Sequence, residues 1–371
     1  MEFKIKKEII YQGLSKIQGI TGKKTNIPIT SNVFVTADDG HLSIIATDLE
    51  IAFHGKYKAE ILSSGSGVIP SRKLYEIIKD FPSNLLVFKE LENKWIQIAD
   101  KDVEYNIVGM DPNDFPGLPD VEGAELFEMD VHVLRDMIEK TIYAVLSDEA
   151  RPHLAGVFFE TIDKGDERRL RMVSTDGHRL SKIDQSMEKE QYVALEKGVI
   201  IPKSGIIEVL RLLEGGGKVH IGFKDRNFIV RKDSEGLIIR LIEGEFPDYD
   251  LVIPKKNEGE LRVKKEVFVM MLKRMSILSS DKYRSVSCKI NNKEMEAKTT
   301  NPDIGESREV IPVSYNGDEI EIAFNPRYFI DAIATMKSEE LIIRLSDEAT
   351  PCLLEGDNDP NFLSVIMPMR V

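Results

Sequence analysis

The chain has 371 residues, too many for one hydrophobic core and suited to two or three domains. It is 42% apolar and 30% charged, and 50 basic against 63 acidic residues give a net charge of −13, which argues against a broad basic grip on nucleic acid but does not forbid a local basic lining. No run of 18 apolar residues is present to cross a membrane, MEFKIKKEII alternates where a leader would be apolar, and Cys288 and Cys352 form no CxxC; together these point to a cytoplasmic chain with structural thiols.

The first predicted element is an amphipathic helix over KKEIIYQGLSKIQGI, with Ile10, Leu14 and Ile17 on one stripe. Two alternating strands follow in SNVFVTADDGHLSIIATDLEIAF, folded back at Asp39-Gly40. VIPSRKLYEIIKDF predicts a second helix with Pro70 in its first turn, where a missing N–H leaves no bond unmade. KWIQIADKDVEYNIVGMDPNDFPGLP then returns to strand.

The same order recurs twice. The next first helix is DVHVLRDMIEKTIYAVLSD, striped by Leu134, Met137, Ile138, Ile142 and Val145; the third is KKEVFVMMLKRMSILSSD, striped by Val267, Met270, Met271, Arg274 and Leu278. Strand runs follow in LAGVFFETIDKGDERRLRMVSTDGHRLSKI, turning at 164–166, and in RSVSCKINNKEMEAKTTNPDIGESREVI, turning at Asn291-Asn292. Second helices begin at Pro202 and Pro326, which lie 132 and 124 residues after their predecessors. The turn markers Asp48, Asp176 and Asn301 are 128 and 125 apart, and Phe115-Pro116 and Phe246-Pro247 are 131 apart. A period near 125 is a domain duplication, far longer than a solenoid unit. It divides the chain into α+β domains at 1–124, 125–254 and 255–371.

Each domain can bury two helices against an antiparallel sheet, a two-layer packing. Equivalent sheet edges can pair between neighbours, which hides them from aggregation. Equal joints generate an arc, and two copies close it with two-fold symmetry. Lys6, Lys7, Lys16, Arg135, Lys140, Lys264, Lys265, Lys273 and Arg274 recur on the first helices, so helices facing inward would give a mildly basic lining. Solvated helix faces are the alternative reading of the same residues.

Catalytic motifs are missing: no GxGxxG, GxxxxGK[ST] or HExxH occurs, so neither enzyme, cofactor nor metal is expected. Asp357-Asn358-Asp359 lacks the loop and glutamate of a calcium site and is expected to be an exposed turn. Ser174, Asp176 and His178 resemble a hydrolase triad in letters only, since triad members must meet through space. The apolar end, Val365-Ile366-Met367-Pro368-Met369-Arg370-Val371, is unusual for a terminus and suits either a docked last strand or part of a groove for peptides.

TDLE (47–50), VIPSRK (68–73), STDGHRLS (174–181), GEFPDY (244–249) and MPMRV (367–371), spread over all three units, closely resemble the bacterial DNA polymerase III beta subunits, the replicative sliding clamps. The resemblance implies a DNA clamp fold: a head-to-tail homodimeric ring of six domains, helices inside and sheets outside, encircling double-stranded DNA without catalysis or cofactor. It implies partnership with the polymerase III alpha subunit, a clamp loader, and other polymerases and repair proteins carrying clamp-binding motifs. The family's peptide groove maps onto Leu154, Thr175, Gly177, His178, Arg179, Leu180, Pro247, Val252, Val365, Met367, Pro368, Met369 and Arg370. Its DNA contacts map onto Lys24, Arg72, Arg151, His153 and Lys203. Leu251 and the Pro152-His153 pair depart from the family pattern, which weakens one rim contact and any base stacking at the loop. The readings left open are an adaptor ring that does not encircle DNA, and an enzyme, which would need a converging acidic or metal cluster.

Overall fold

The computed structural model describes residues 1–22, 27–146, 150–165, 167–187, 195, 197–256, 258–278 and 284–369. Six helices are assigned among them: α1 (Lys7–Thr21), α2 (Ser71–Asp80), α3 (Val131–Ile142), α4 (Lys203–Leu212), α5 (Lys265–Ser276) and α6 (Pro326–Thr335). A short strand leads straight into each first helix: Glu2–Lys6, Leu126–Asp130 and Gly259–Lys264. Each unit therefore opens on a strand rather than on its helix; these strands are short, and their charged residues blend into the helix that follows.

The chain forms two compact units, and both cut through the middle repeat. The first, Met1–His132 with Ser204–Leu241, holds a five-stranded sheet ending on Glu104–Val108. It also holds an eight-stranded sheet in which Ile51–Lys58 pairs antiparallel with Glu235–Arg240. Its core buries Phe3, Ile10, Leu14, Ile17, Leu74, Ile78 and Phe88, with the Phe3 and Phe88 rings stacked at 4.7 Å. At the Asp39-Gly40 turn both residues have positive φ (46° and 71°), the conformation a two-residue hairpin of matching twist requires.

The second unit holds Val133–Glu190, Leu195–Lys203 and Ile242–Val371. Its nine-stranded sheet pairs Arg179–Ser186 antiparallel with Phe362–Ile366, and its four-stranded sheet ends on Gly305–Pro312. The joining pattern is therefore the same in both units: the strand after a turn marker meets the last strand of the following repeat.

Four local expectations need correction. Pro70 and Pro202 are the last residues of strands rather than the first of helices; only Pro326 occupies the first helical position, where Asn325 caps the Arg327 N–H (3.1 Å). The buried stripe of α5 is Phe268, Met271, Leu272 and Met275, with Met270 exposed, because Gly259–Lys264 delivers the helix at a phase the isolated pattern does not reveal. The second helical pattern stops at Ile142, so Val145, although buried, lies beyond α3. Asp359 is buried rather than an exposed turn (3% exposed) and accepts from Lys140 Nζ (2.7 Å), the Lys337 N–H (2.9 Å) and the Ser338 N–H (2.9 Å) and Oγ (2.7 Å). Burial opposes ionisation of its carboxyl, but the Lys140 and Ser338 hydrogen bonds prevail and hold its pKa below the usual value.

Candidate functional site

The turn at 175–179 is built by its own side chains. Thr175 Oγ1 accepts the Gly177 N–H (3.1 Å) and donates to the Arg179 carbonyl (2.7 Å), while Asp176 Oδ1 accepts the N–H groups of His178 (2.9 Å) and Arg179 (3.0 Å). Gly177 has φ +90°, a region costly for side chains with a Cβ. The first repeat builds the same turn: Asp48 Oδ1 accepts from Glu50 (3.1 Å) and Ile51 (2.7 Å), Thr47 Oγ1 accepts from Leu49 (3.0 Å), and Leu49 has φ 76°.

This turn lies beside the chain's apolar end. Leu180 stands opposite Val365, and the Met367 N–H donates to the His178 carbonyl (2.9 Å). Leu180, Val365, Val173 and Leu353 form one buried cluster, covered by Phe158, Phe246, Tyr249, Ile253 and Leu363. Phe158 and Phe246 stack at 4.8 Å. The segment bearing Pro247 and Val252 is anchored there by Tyr249, whose hydroxyl donates to Glu160 and accepts from Arg171 Nη1 (2.9 Å). Arg171 is held in turn by a two-pronged contact to Asp184 (2.6 and 2.8 Å). Above this floor, Val252 and Met367 are exposed, and Leu251 is 80% exposed. The arrangement is an apolar base with adaptable apolar residues on its rim, which suits side chains of an extended peptide.

The predicted groove residues thus divide. Thr175, Gly177, His178, Leu180, Val365 and Met367 are brought together by strand pairing, and Pro247 and Val252 join through Phe246 and Tyr249. Leu180 and Val365 are buried foundation rather than open wall, and Leu154 is buried as well. The Met369 N–H donates to Ala323 (2.7 Å), so Pro368 lies between two backbone anchors. Arg370 is outside the described residues. Arg179 faces inward: its guanidinium donates to Asp176 (3.0 Å), Asp331 (2.7 Å) and the Tyr143 carbonyl (2.8 Å), over the Tyr143 and Tyr328 rings. Asp331, Tyr143 and Tyr328 carried no signal in the sequence, since they meet Arg179 only in space. Phe246 and Tyr249 were within reach, inside the GEFPDY segment.

The predicted DNA contacts sit in different settings. Lys24 is outside the described residues. Arg72 is exposed and paired with Glu76 (3.0 Å). Arg151 lies close to Gly177, and His153 close to Gly244. Lys203 Nζ reaches the Val145 carbonyl (3.4 Å), and burial, reinforced by the Arg179 charge, pulls its pKa down. Several helix lysines are occupied by the fold: Lys7 and Lys265 donate to the carbonyls of Phe81 (2.6 Å) and Met336 (2.5 Å) just past α2 and α6, where a cation is favoured by the helix dipole. Ser174 Oγ is buried and donates to the Thr141 carbonyl (2.5 Å), which removes the triad-like trio from nucleophilic chemistry. Among the described residues no cluster of three or more His, Cys, Asp or Glu is arranged to hold a metal ion, and no helix is long and apolar enough to cross a membrane.

A thrice-repeated α+β domain joined strand to strand, with an apolar site by its end, defines a modular binding scaffold. Comparison places it further: the N-terminal, central and C-terminal domains described for the DNA polymerase III beta subunit match residues 1–119, 128–248 and 250–370. The chain belongs to the DNA polymerase III beta subunit family, the bacterial sliding clamps. It is 30% identical to the beta sliding clamp of Haemophilus influenzae and 29% to that of Escherichia coli K12, each over the full length of both chains. A sliding clamp from Bartonella birtlesii, solved with griselimycin bound, superposes with a TM-score of 0.95 at 29% identity and full coverage of both chains. A Caulobacter crescentus beta sliding clamp, solved with PEG at a putative beta-motif tethering region, does so at 0.95 and 30%, covering 100% of this chain and 99% of that one.

Proposed function

We propose that two copies join head to tail into a closed ring that encircles duplex DNA and tethers the replicative polymerase. The observation that carries this reading is the repeated joint. Ile51–Lys58 pairs with Glu235–Arg240, and Arg179–Ser186 pairs with Phe362–Ile366. The next strands in each series, Gly305–Pro312 and Glu104–Val108, end their sheets. They are complementary halves of a third joint that is not made within the chain, so two copies supply it twice and close. The domains on this reading are 1–124, 125–254 and 255–371.

Enclosure explains the net charge of −13. A protein that grips phosphates tightly is slowed and strongly salt-dependent; a closed ring leaves DNA only by opening an interface, so weak diffuse contacts suffice. Holding a polymerase on the ring raises its effective concentration at the primer end. The apolar base around Leu180 and Val365, with Met367 and Val252 on the rim, is the docking site for the polymerase alpha subunit, the clamp loader and other partners carrying short clamp-binding motifs. Deleting residues 367–371 tests this. It removes two backbone hydrogen bonds, to His178 and Ala323, a modest cost of about 1–3 kcal/mol. The truncated chain is expected to fold and to lose measurable binding of a clamp-motif peptide in titration calorimetry; a folded truncation with unchanged affinity contradicts the site.

A further inference from the structure

Two sets of backbone hydrogen bonds put the three repeats in register. The first residue of each first helix donates its N–H to a carbonyl ahead of the following sheet: Lys7 to Asn84 (2.9 Å), Val131 to Gly217 (3.1 Å) and Lys265 to Glu339 (2.8 Å). Met110, Ile242 and Met369 donate to Val68, Ile200 and Ala323 (2.9, 2.9 and 2.7 Å), each three residues before a second helix. Counting from the first set, the tenth residue of the first helix is Lys16, Lys140 or Arg274. Counting back seven from the second set gives Val103, Glu235 and Phe362 as equivalents, and counting back ten gives Asp100, Lys232 and Asp359.

The tenth-position cation crosses to the next repeat in both joints the chain contains. Lys16 pairs with Glu235 (2.5 Å), and Lys140 with Asp359 (2.7 Å); each acid lies on the hairpin that opens the last strand. Arg274 is the third member, and it lies in the last of the three repeats described. It leans instead on Glu309, with Nε at 2.8 Å. The repeat that would follow is the first repeat of another copy. There Asp100 matches Asp359, and the matching extends to its support: Asp359 accepts from Ser338 and Asp100 from the Ser83 side chain, both serines three residues past a second helix.

We propose that Arg274 is the latch of the joint between copies, bridging Glu309 of its own chain and Asp100 of a second copy, with Gly305–Pro312 and Glu104–Val108 paired so that Glu309 faces Val103, Ser307 faces Tyr105 and Gly305 faces Ile107. This rests on the ring reading and adds its closing residues and register. The register comes from the two joints on view. In the hairpins, Thr47, Thr175 and Thr300 face Ala52, Leu180 and Glu306. Three residues on, Gly55 faces Glu235 and Ile183 faces Phe362, so Glu309 faces Val103. Two features not used in that count agree with it. The register sets Arg308 opposite Glu104, a favourable cross-strand charge pair. It also covers Tyr105, which is 42% exposed, whereas its joined counterparts Leu237 and Ser364 are 2% and 1% exposed.

The test uses the full chain in sedimentation equilibrium. Asp100→Asn keeps the acceptor for Ser83 and removes only the charge, and is expected to raise the dimer's dissociation constant about tenfold. An unchanged constant in a wild-type protein that does dimerise overturns the latch and leaves the ring standing; a wild-type protein that stays monomeric at all concentrations overturns the ring as well. Oxidative cross-linking reads the register separately. Tyr105→Cys with Ser307→Cys is expected to give interchain links, and links formed only when Asn106→Cys replaces Tyr105→Cys overturn the proposed pairing.

Discussion

Replacing Lys140 with methionine probes the joint that holds the candidate site together. Lys140 and Asp359 are both buried, at 2.7 Å, and Asp136 also contacts Lys140 at 3.1 Å. Removing one partner of a buried ion pair costs about 3–5 kcal/mol, because the remaining charge is stranded. Asp136 keeps Lys337 (2.6 Å), and Asp359 keeps three donors on Oδ2 from Lys337 and Ser338, so the cost belongs at the lower end, about 3 kcal/mol. The loss concentrates where Phe362–Ile366 meets Arg179–Ser186. Native-state hydrogen exchange of those amides therefore accelerates about a hundredfold in Lys140→Met. Adding Asp359→Asn removes the stranded charge and recovers most of the protection. The sign of the pH response follows from the depressed Asp359 pKa: against an unfolded value near 3.8, its contribution is complete above that value and is lost as pH falls through the folded pKa. Exchange within threefold of wild type in Lys140→Met would refute the reasoning.

Gly177→Ala places a Cβ at φ +90° and 3.3 Å from Arg151 Nη1, and is expected to destabilise the second unit by about 1–3 kcal/mol in thermal unfolding; an unchanged melting temperature contradicts the strain. Cys288 and Cys352 are buried free thiols, and burial pushes Cys288 up to about 12. Neither should react with a thiol-specific disulfide reagent at pH 8 until the chain unfolds, and rapid native labelling contradicts their burial.

The repeat was legible because it is written in local chemistry. Asp48, Asp176 and Asn301 are turn residues whose side chains accept nearby N–H groups, so their spacing survives wherever the turn survives. The α1 stripe was legible for the same reason: Ile10, Leu14 and Ile17 recur at helical spacing and are buried. The α5 stripe was not, since Val267, Met270 and Arg274 share that spacing and only the incoming strand decides which face turns inward. Prolines marked the second helices, but only Pro326 is a first helical residue, because Pro70 and Pro202 also suit the end of an edge strand. The site was half legible. Motif residues named the turn and the tail, but periodicity could not separate Leu180 and Val365 beneath the surface from Met367 and Val252 upon it. Asp359 was misjudged and the contacts of Arg179 went unread, as partners 219 and 152 residues away leave no trace in a local window.

The central claim is enclosure, and topology tests it most directly. The protein is loaded onto a nicked circular plasmid by a bacterial clamp loader with ATP, separated from free protein by gel filtration, and then challenged with a restriction enzyme that cuts the circle once. A ring held by enclosure stays with the intact circle through a wash in high salt and leaves within minutes of linearisation by sliding off the ends. Retention that is equal on circular and linear DNA, or loss from both on raising the salt, contradicts it.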